Sequence, residues 1–248
     1  MKLPRIDVGG AAVSAIRLYG RVAYPVIRTV AEPALRQMFQ MHPEGLEHVP
    51  RSGPAILTPN HLSFVDPICM ALTVPRRITF IGKAEYTDSW ITRWFMELGG
   101  VIPVRREDSA KAAGSLDRGA EILRSGELLG IFPEGTRSPD GRLFKGKTGA
   151  ARMALEVGCP VIPVGILGTE KVLPKDAKVP KRTRVHVRFG KPMRVPKEAE
   201  RDAHLLRTFT DDLMHEIASL TGQTYRHRYS YTKRLGSVDA PVAIAFNA

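Results

Sequence analysis

The sequence is poor in features that mark several large protein classes. Only two of its 248 residues are cysteines, and Cys69 and Cys159 lie far apart, each within an apolar stretch. This spacing argues against a disulfide framework and predicts two buried thiols in a cytosolic setting. No run approaches the roughly 18 uninterrupted apolar residues that a spanning helix needs, so no simple membrane span is expected.

Signatures of two hydrolase classes are also missing. There is no Gly-x-Ser-x-Gly segment, and Ser63 lacks the neighbours of a nucleophile elbow. The pair His215-Glu216 is not followed by the second histidine of a zinc motif, and the cysteines lack metal-ligand spacing. Neither serine hydrolysis nor a metal site is therefore expected.

Acidic residues are scarce relative to basic ones: 25 Asp and Glu stand against 37 Lys and Arg, for a formal net charge of +12. The resulting field gathers anions, which admits nucleic acid, anionic lipid or phosphorylated substrates as partners. The apolar residues, 43% of the chain, suffice for one sizeable core, so one main domain is the default.

The N-terminal segment, residues 1–42, contains a mostly apolar stretch at residues 8–31. Arg17, Arg21 and Arg28 fall on one narrow face of a helix there. Two interpretations are open: an amphipathic helix whose arginines meet anionic headgroups, or a helix packed on its own domain. We assign residues 1–42 as an amphipathic, membrane-associating helical segment.

Residues 43–222 are predicted to form an α/β domain, with a largely parallel or mixed central sheet flanked by helices, because short apolar runs alternate with helical patterns. The predicted strands are residues 54–58, 78–81, 101–104, 128–132, 161–166 and 184–189. The predicted helices are residues 109–125, 149–157 and 206–220.

A basic, aromatic tail, residues 223–248, completes the chain. Its stretch YRHRYSYTKR at 225–234 interleaves aromatic and cationic side chains. Three interpretations are open: contact with single-stranded nucleic acid, contact with a membrane interface, or a solvated terminus.

The sharpest local pattern is Asn60-His61-Leu62-Ser63-Phe64-Val65-Asp66-Pro67, directly after an apolar strand. His61 and Asp66 point apart on a regular helix, since five residues rotate through about 500°. Pro67 favours the first helical position, so Asp66 is predicted to cap a helix and His61 to lie on the preceding turn. There the carboxylate can face one imidazole nitrogen and leave the other to accept a proton from a hydroxyl. Alone, the pair equally fits a turn residue and a helix cap.

A second motif, Phe132-Pro133-Glu134-Gly135-Thr136-Arg137-Ser138, follows another apolar strand. In a parallel sheet it lies on the same carboxyl edge as His61, where open α/β sheets bind ligands. Its tight turn and the Arg137 guanidinium can hold a phosphate, while Glu134 can orient the arginine or a substrate hydroxyl. An ordinary charged turn is the alternative.

Both motifs resemble blocks of the glycerolipid acyltransferase family, in particular its 1-acyl-sn-glycerol-3-phosphate acyltransferases. Two further segments, 100–106 and 161–164, match other family blocks in the expected order. The resemblance implies that His61 is the general base and Asp66 its partner. The substrate-binding residues that it implies, or that lie close enough to reach a substrate anion, are Lys83, Arg106, Glu134, Gly135, Thr136, Arg137 and Lys145. Solvated surface lysines are the alternative for Lys83 and Lys145.

The resemblance also implies a reaction. A fatty acyl group passes from acyl-CoA or acyl carrier protein to the free hydroxyl of a lysophosphatidate-type lipid, giving phosphatidate without a covalent acyl-enzyme or a cofactor. Glycerol-3-phosphate or another lysophospholipid is the alternative acceptor. The expected setting is a peripheral or monotopic position on the cytoplasmic face of the cell membrane, against anionic lipid, with no nucleic acid as partner.

One segment supports a rival function. Residues 141–148 match the Walker A pattern of phosphate-binding loops. A genuine instance leaves a buried strand directly into the loop, whereas a polar turn at residues 138–141 precedes this one. Nucleotide hydrolysis is therefore a less favoured alternative. Nucleic-acid binding, which rests on the net charge and the stretch at 225–234, is also less favoured, because it leaves the two motifs unexplained.

Overall fold

The computed structural model describes residues 35–83, 101–104, 109–172, 181–200 and 202–230, together with positions 29 and 33. Residues 1–28, which carry most of the predicted amphipathic helix, lie outside the described residues, and so does the end of the predicted tail, residues 231–248. No helix among the described residues is long and apolar enough to cross a membrane.

The described residues form strands and helices that alternate along the chain. The strands are β1 (Met41–Glu44), β2 (Ala55–Pro59), β3 (Ile78–Lys83), β4 (Val101–Val104), β5 (Leu128–Gly130), β6 (Leu143–Phe144), β7 (Val161–Leu167), β8 (Val185–Phe189) and β9 (Tyr225–Arg226). The α-helices are α1 (Asp66–Thr73), α2 (Ser109–Arg124), α3 (Gly149–Val157), α4 (Thr169–Val172) and α5 (Ala203–Thr221). Short 3-10 helices lie at Leu46–His48 and Lys197–Glu200.

A seven-stranded sheet, in the order β1-β8-β7-β2-β5-β3-β4, organises the domain, and β6 pairs separately with β9. Every neighbouring pair in the large sheet is parallel except β7 with β8. The predicted α/β fold with a largely parallel sheet is confirmed. Because β2 and β5 are parallel neighbours, the turns that follow Pro59 and Gly130 leave the sheet at one edge.

The sheet is buried on both faces, which explains the continuous apolar runs of its central strands. Ala55 and Leu57 of β2 pack with α1 in one core cluster. Ile56, between them, packs on the opposite face with residues of α2, α3 and α5. All six strands predicted from such runs are present, with ends that differ by no more than two residues.

Three strands lack this signal. Strand β1 is an edge strand with three exposed residues, and β6 and β9 are only two residues long. The helix pattern is more informative: α3 ends at Val157, as predicted, because Gly158 adopts the left-handed conformation (φ 72°) and its N–H donates to the carbonyl of Ala154.

Candidate active site

The His61 imidazole and the Asp66 carboxylate meet on the turn between β2 and α1. His61 Nδ1 lies 2.8 Å from Asp66 Oδ2, and the His61 side chain retains 16% of its exposure whereas that of Asp66 retains none. The carboxylate thus fixes Nδ1 as the protonated nitrogen, and the other ring nitrogen, Nε2, keeps its lone pair.

The same carboxylate oxygen also holds the turn. Asp66 Oδ2 accepts the backbone N–H groups of Leu62 and Ser63, each at 2.8 Å. The predicted helix cap is wrong: Asp66 is the first residue of α1, Val65 occupies the cap position, and no side chain caps the helix. The carboxylate turns back to the preceding loop because three donors converge on it there.

The backbone of His61 is bonded on both sides to the second motif. Its N–H donates to Glu134 Oε1 at 3.2 Å, and its carbonyl accepts from the N–H of Ser138 at 2.8 Å. The other oxygen of Glu134 accepts the N–H of Phe144 at 2.9 Å. Both oxygens of Glu134 therefore accept main-chain N–H groups, one of them in the histidine turn, and its predicted role towards substrate stays a prediction.

Glu134 is a buried acid with an unusual titration. Burial raises its pKa from 4.5 to about 7; the N–H groups of Phe144 and His61 pull the pKa back down, and nearby Asp66 adds to the rise. The site therefore contains two buried carboxyls, of which Asp66 touches the imidazole and Glu134 touches the main chain that carries it.

One face of the imidazole is covered by an aromatic stack. The rings of His61 and Phe132 are 3.9 Å apart at 23°, and Phe132 is stacked in turn near Phe80, at 5.8 Å. Phe80 lies against Gly130, where an added Cβ would come within 2.3 Å of its ring. A glycine at this position is what lets the stack approach the sheet.

Asn60 anchors the point at which the chain leaves the sheet. Its side chain is fully buried; Oδ1 accepts the N–H of Ile166 at 2.7 Å, and Nδ2 donates to the carbonyl of Ile166 at 2.9 Å. The side-chain amide thus extends the hydrogen bonding between β2 and β7 by one position. The backbone directly before His61 is therefore held at the end of the sheet.

A family model named Acyltransferase matches residues 40–167, about half of the chain, and includes both motif turns.

The chain belongs to the acyltransferase family.

Curated proteins named as acyltransferases match more than half of the chain. The chloroplastic 1-acyl-sn-glycerol-3-phosphate acyltransferase LPAT1 of Arabidopsis thaliana is 37% identical over 145 residues, which are 58% of this chain and 40% of that protein. The chloroplastic enzyme BAT2 of Brassica napus is 38% identical over 132 residues, 53% of this chain and 38% of that protein. The chain thus spans about two fifths of the length of these relatives.

A solved structure shares the fold. The 1-acyl-sn-glycerophosphate (LPA) acyltransferase PlsC from Thermotoga maritima superposes with a TM-score of 0.59, over 85% of this chain and 88% of that one, at 22% sequence identity. The likeness shows that an acyltransferase fold of this kind extends well beyond the family-matched residues.

Three of the predicted substrate-binding residues lie on the turn after β5. Gly135 has a left-handed backbone (φ 74°), which Gly readily adopts, and Thr136 follows it half-buried. Arg137 is exposed, and within the described ranges no carboxylate lies within ion-pair distance of its guanidinium. The turn is next to His61, since Ser138 bonds its carbonyl.

The other predicted binding residues are placed less fully. Lys83 is the last residue of β3, whose end shares the edge with β2 and β5, while Arg106 lies outside the described residues, two positions after β4 ends at Val104. Lys145 directly follows β6, and its ammonium group lies 5.8 Å from the centre of the Tyr229 ring. Their roles stay predictions.

The Walker A match does not form a phosphate-binding loop. The N–H groups of Leu143, Lys145 and Lys147 donate to the carbonyls of Thr224, Arg228 and Pro133, and that of Phe144 donates to Glu134. Backbone donors that are already used cannot cradle a phosphate. The segment instead contains strand β6.

Proposed function

We propose that this acyltransferase transfers a fatty acyl group from an acyl thioester to the free hydroxyl of a lysophosphatidate-type lipid, giving phosphatidate. The observation that carries the proposal is the contact between His61 Nδ1 and the buried Asp66 carboxylate, at 2.8 Å. It supplies a histidine whose outer nitrogen can act as a base, at the sheet edge shared with the second motif.

The proposed reaction needs one proton to move twice. His61 Nε2 removes the proton of the acceptor hydroxyl while its oxygen attacks the thioester carbonyl. The tetrahedral intermediate then collapses, the carbon–sulfur bond breaks, and the imidazolium returns the proton to the departing thiolate. Asp66 stabilises the imidazolium between the two transfers, so no covalent acyl-enzyme is needed.

We propose that Arg137 binds the phosphate of the acceptor. Arg137 is exposed, and it precedes Ser138, whose N–H donates to the His61 carbonyl; a phosphate bound by Arg137 would hold the hydroxyl near the base. Lys83, Arg106 and Lys145 are proposed as further contacts of the anionic substrates. Acyl-CoA and acyl carrier protein are both donors of the required chemistry.

We also propose that the protein works at an anionic membrane surface, on its cytoplasmic face, as a peripheral or monotopic protein. The net charge of +12 supports this setting, because it attracts the protein to a negatively charged lipid surface that also holds the acceptor. Sedimentation with neutral vesicles and with vesicles that contain phosphatidylglycerol tests the attraction to anionic lipid. Binding to the neutral vesicles that is as strong as binding to the anionic ones would contradict the proposal.

The test of the base is His61→Ala, compared with His204→Ala, which changes an exposed histidine on α5. With lysophosphatidate and palmitoyl-CoA, we expect the first variant to lose phosphatidate formation and the second to retain it, while both still fold and unfold cooperatively. Equal turnover in the two variants would remove His61 from the mechanism.

The acceptor is tested with Arg137→Ala against Arg142→Ala, an exposed arginine in the same loop that is paired with Asp140. Loss of a charged phosphate contact is expected to raise KM for lysophosphatidate by roughly 10- to 100-fold in the first variant only. Glycerol-3-phosphate and lysophosphatidylcholine, offered in parallel, distinguish the alternative acceptors. An unchanged KM would show that Arg137 does not bind the phosphate.

A further inference from the structure

The first part of the predicted tail is a structured strap, defined here as residues 223–229. Strand β9 within this strap pairs in parallel with β6, so that Tyr225 lies opposite Leu143. The N–H of Leu143 also donates to the carbonyl of Thr224 at 3.1 Å. The strap lies outside residues 40–167, the part that the family model matches.

Gln223, the first residue of the strap, bridges two segments of the active site. Its Oε1 accepts from Asn60 Nδ2 at 2.8 Å, and its Nε2 donates to the carbonyl of Gly141 at 2.6 Å. Its own N–H donates to Thr221 Oγ1 at 3.2 Å, in the last turn of α5. The end of α5 therefore positions the Gln223 side-chain amide so that it bonds both segments.

The first segment is the residue directly before the histidine. The buried Asn60 amide has two N–H donors, of which one serves Ile166 and the other serves Gln223. Removal of the Gln223 amide would leave a buried donor without its partner, at the position that sets the direction of the chain into His61.

The second segment reaches the histidine from its other side. Gly141 precedes Arg142, whose carbonyl accepts from Ser138 Oγ at 2.7 Å. The N–H of Ser138 donates to the carbonyl of His61 at 2.8 Å. The contacts therefore close a ring that runs from Asn60 through His61 and back by way of Gln223.

We propose that Gln223 is a positioning residue for His61: its amide fixes the two segments that hold the backbone of the histidine turn. The proposal rests on the proposed role of His61 as base. Gln223 acts through Asn60 and Gly141, so its loss should affect the chemical step more than substrate binding. A displacement of about 1 Å at a reacting group can lower the rate by about 100-fold.

The experiment uses Gln223→Met, which keeps the length of the side chain but loses both hydrogen bonds. Gln223→Glu keeps an acceptor for Asn60 but turns an oxygen, instead of a donor, towards the carbonyl of Gly141. Gln37→Met, at an exposed position, is the matched control. Using the full chain with lysophosphatidate and palmitoyl-CoA, we expect kcat to fall roughly 10- to 100-fold in Gln223→Met, with KM within about twofold. In Gln223→Glu kcat should fall as well, because only the contact with Asn60 can be kept.

Hydrogen exchange gives a readout that does not depend on turnover. In Gln223→Met we expect the amides of residues 60–66 to exchange faster, while those of the central strand β5, Leu128–Gly130, stay protected as the internal reference. A kcat of Gln223→Met equal to that of Gln37→Met, or unchanged exchange at residues 60–66, would each overturn the proposal.

The two proposals fail in different ways. If His61→Ala retains full turnover, the base is wrong, yet the exchange comparison still decides whether Gln223 holds the turn. If His61→Ala is inactive and Gln223→Met is fully active, the base stands and the positioning role is rejected.

Discussion

Replacement of Asp66 by asparagine tests the central contact with almost no change in shape. The carboxylate oxygen Oδ2 accepts from His61 Nδ1, Leu62 and Ser63, all at 2.8 Å. In Asp66→Asn the amide oxygen can keep these three donors, so the turn should fold. What disappears is the negative charge that, in the proposed mechanism, stabilises the imidazolium.

The magnitude follows from the separation. Unit charges 2.8 Å apart interact by roughly 6 kcal/mol at an effective dielectric constant of about 20. Because the acceptor proton is only partly transferred in the transition state, about half to nearly all of this interaction energy stabilises the transition state. The expected fall in kcat is therefore about 100- to 10,000-fold.

A smaller loss of stability should accompany it. Asp66 Oδ1 is buried and has no hydrogen-bond partner among the described residues. The new NH2 group must occupy that position, and a buried donor without a partner costs about 1–3 kcal/mol.

The assay is thiol release from palmitoyl-CoA at saturating lysophosphatidate, with melting temperatures measured on the same samples. Asp212→Asn, an exposed acid on α5, is the matched control and should leave kcat unchanged. A folded Asp66→Asn variant with a kcat within about threefold of wild type would refute the electrostatic argument, because the contact would then contribute less than about 1 kcal/mol.

Three other predictions concern the surroundings of this pair. The folded Glu134 carboxyl, whose pKa is raised by burial to about 7, keeps its proton to higher pH than the unfolded group at 4.5. Its contribution to stability is thus present below about pH 4.5 and lost by about pH 7. The unfolding free energy of the wild type should fall by about 3 kcal/mol over this window, and Glu134→Gln should abolish this part of the fall. Urea titrations of the wild type that are identical at both pH values would contradict the prediction. Gly130→Ala places a methyl group 2.3 Å from the Phe80 ring and should lower stability by about 1–3 kcal/mol and kcat through the stack on the histidine; an unchanged melting temperature would show that the ring yields freely. Cys69 and Cys159 are buried, and burial raises the pKa of both thiols, so neither should react with maleimide until the chain is unfolded in urea; rapid labelling of the native protein would be evidence against this packing.

The parts of the fold that sequence predicted share one physical property. Strands β2, β5 and β7 are covered on both faces, so every residue in them is under the same pressure to be apolar, and the runs stand out. Strand β1 is an exposed edge strand whose pairing with β8 depends on backbone hydrogen bonds, which any sequence can make. Its residues Met41–Glu44 carry no comparable pattern.

The site was predictable as a pair of turns, but its internal bonding was not. A proline at the start of a helix locates the turn, yet Asp66 had two possible sets of donors: the first N–H groups of α1, or those of the preceding loop. The structure selects the loop, where the imidazole adds a third donor. Glu134 was likewise expected to face an arginine or substrate, and instead it accepts two backbone N–H groups.

No sequence pattern predicted that the strap would be structured. Gly222, in the left-handed conformation at the end of α5, ends the helical periodicity, and the aromatic and basic residues after it read as a tail. Its pairing with β6 joins residues far apart in sequence over two positions, a length too short for a strand pattern. Only the assembled sheet edge shows that Gln223 faces Asn60.

The two motif turns are joined through the backbone of His61. The His61 N–H and carbonyl both lack partners within their own turn, and they find them in Glu134 and Ser138. A general base must keep its orientation while it accepts the proton. If His61 were held only by the hydrogen bond from its side chain to Asp66, the histidine turn could rotate about that carboxylate. Bonds on both sides of His61 remove that freedom. The proposed acid–base role of His61 and Asp66 thus depends on the second turn, and a protein with the His–Asp motif alone should have the pair without a fixed direction of attack.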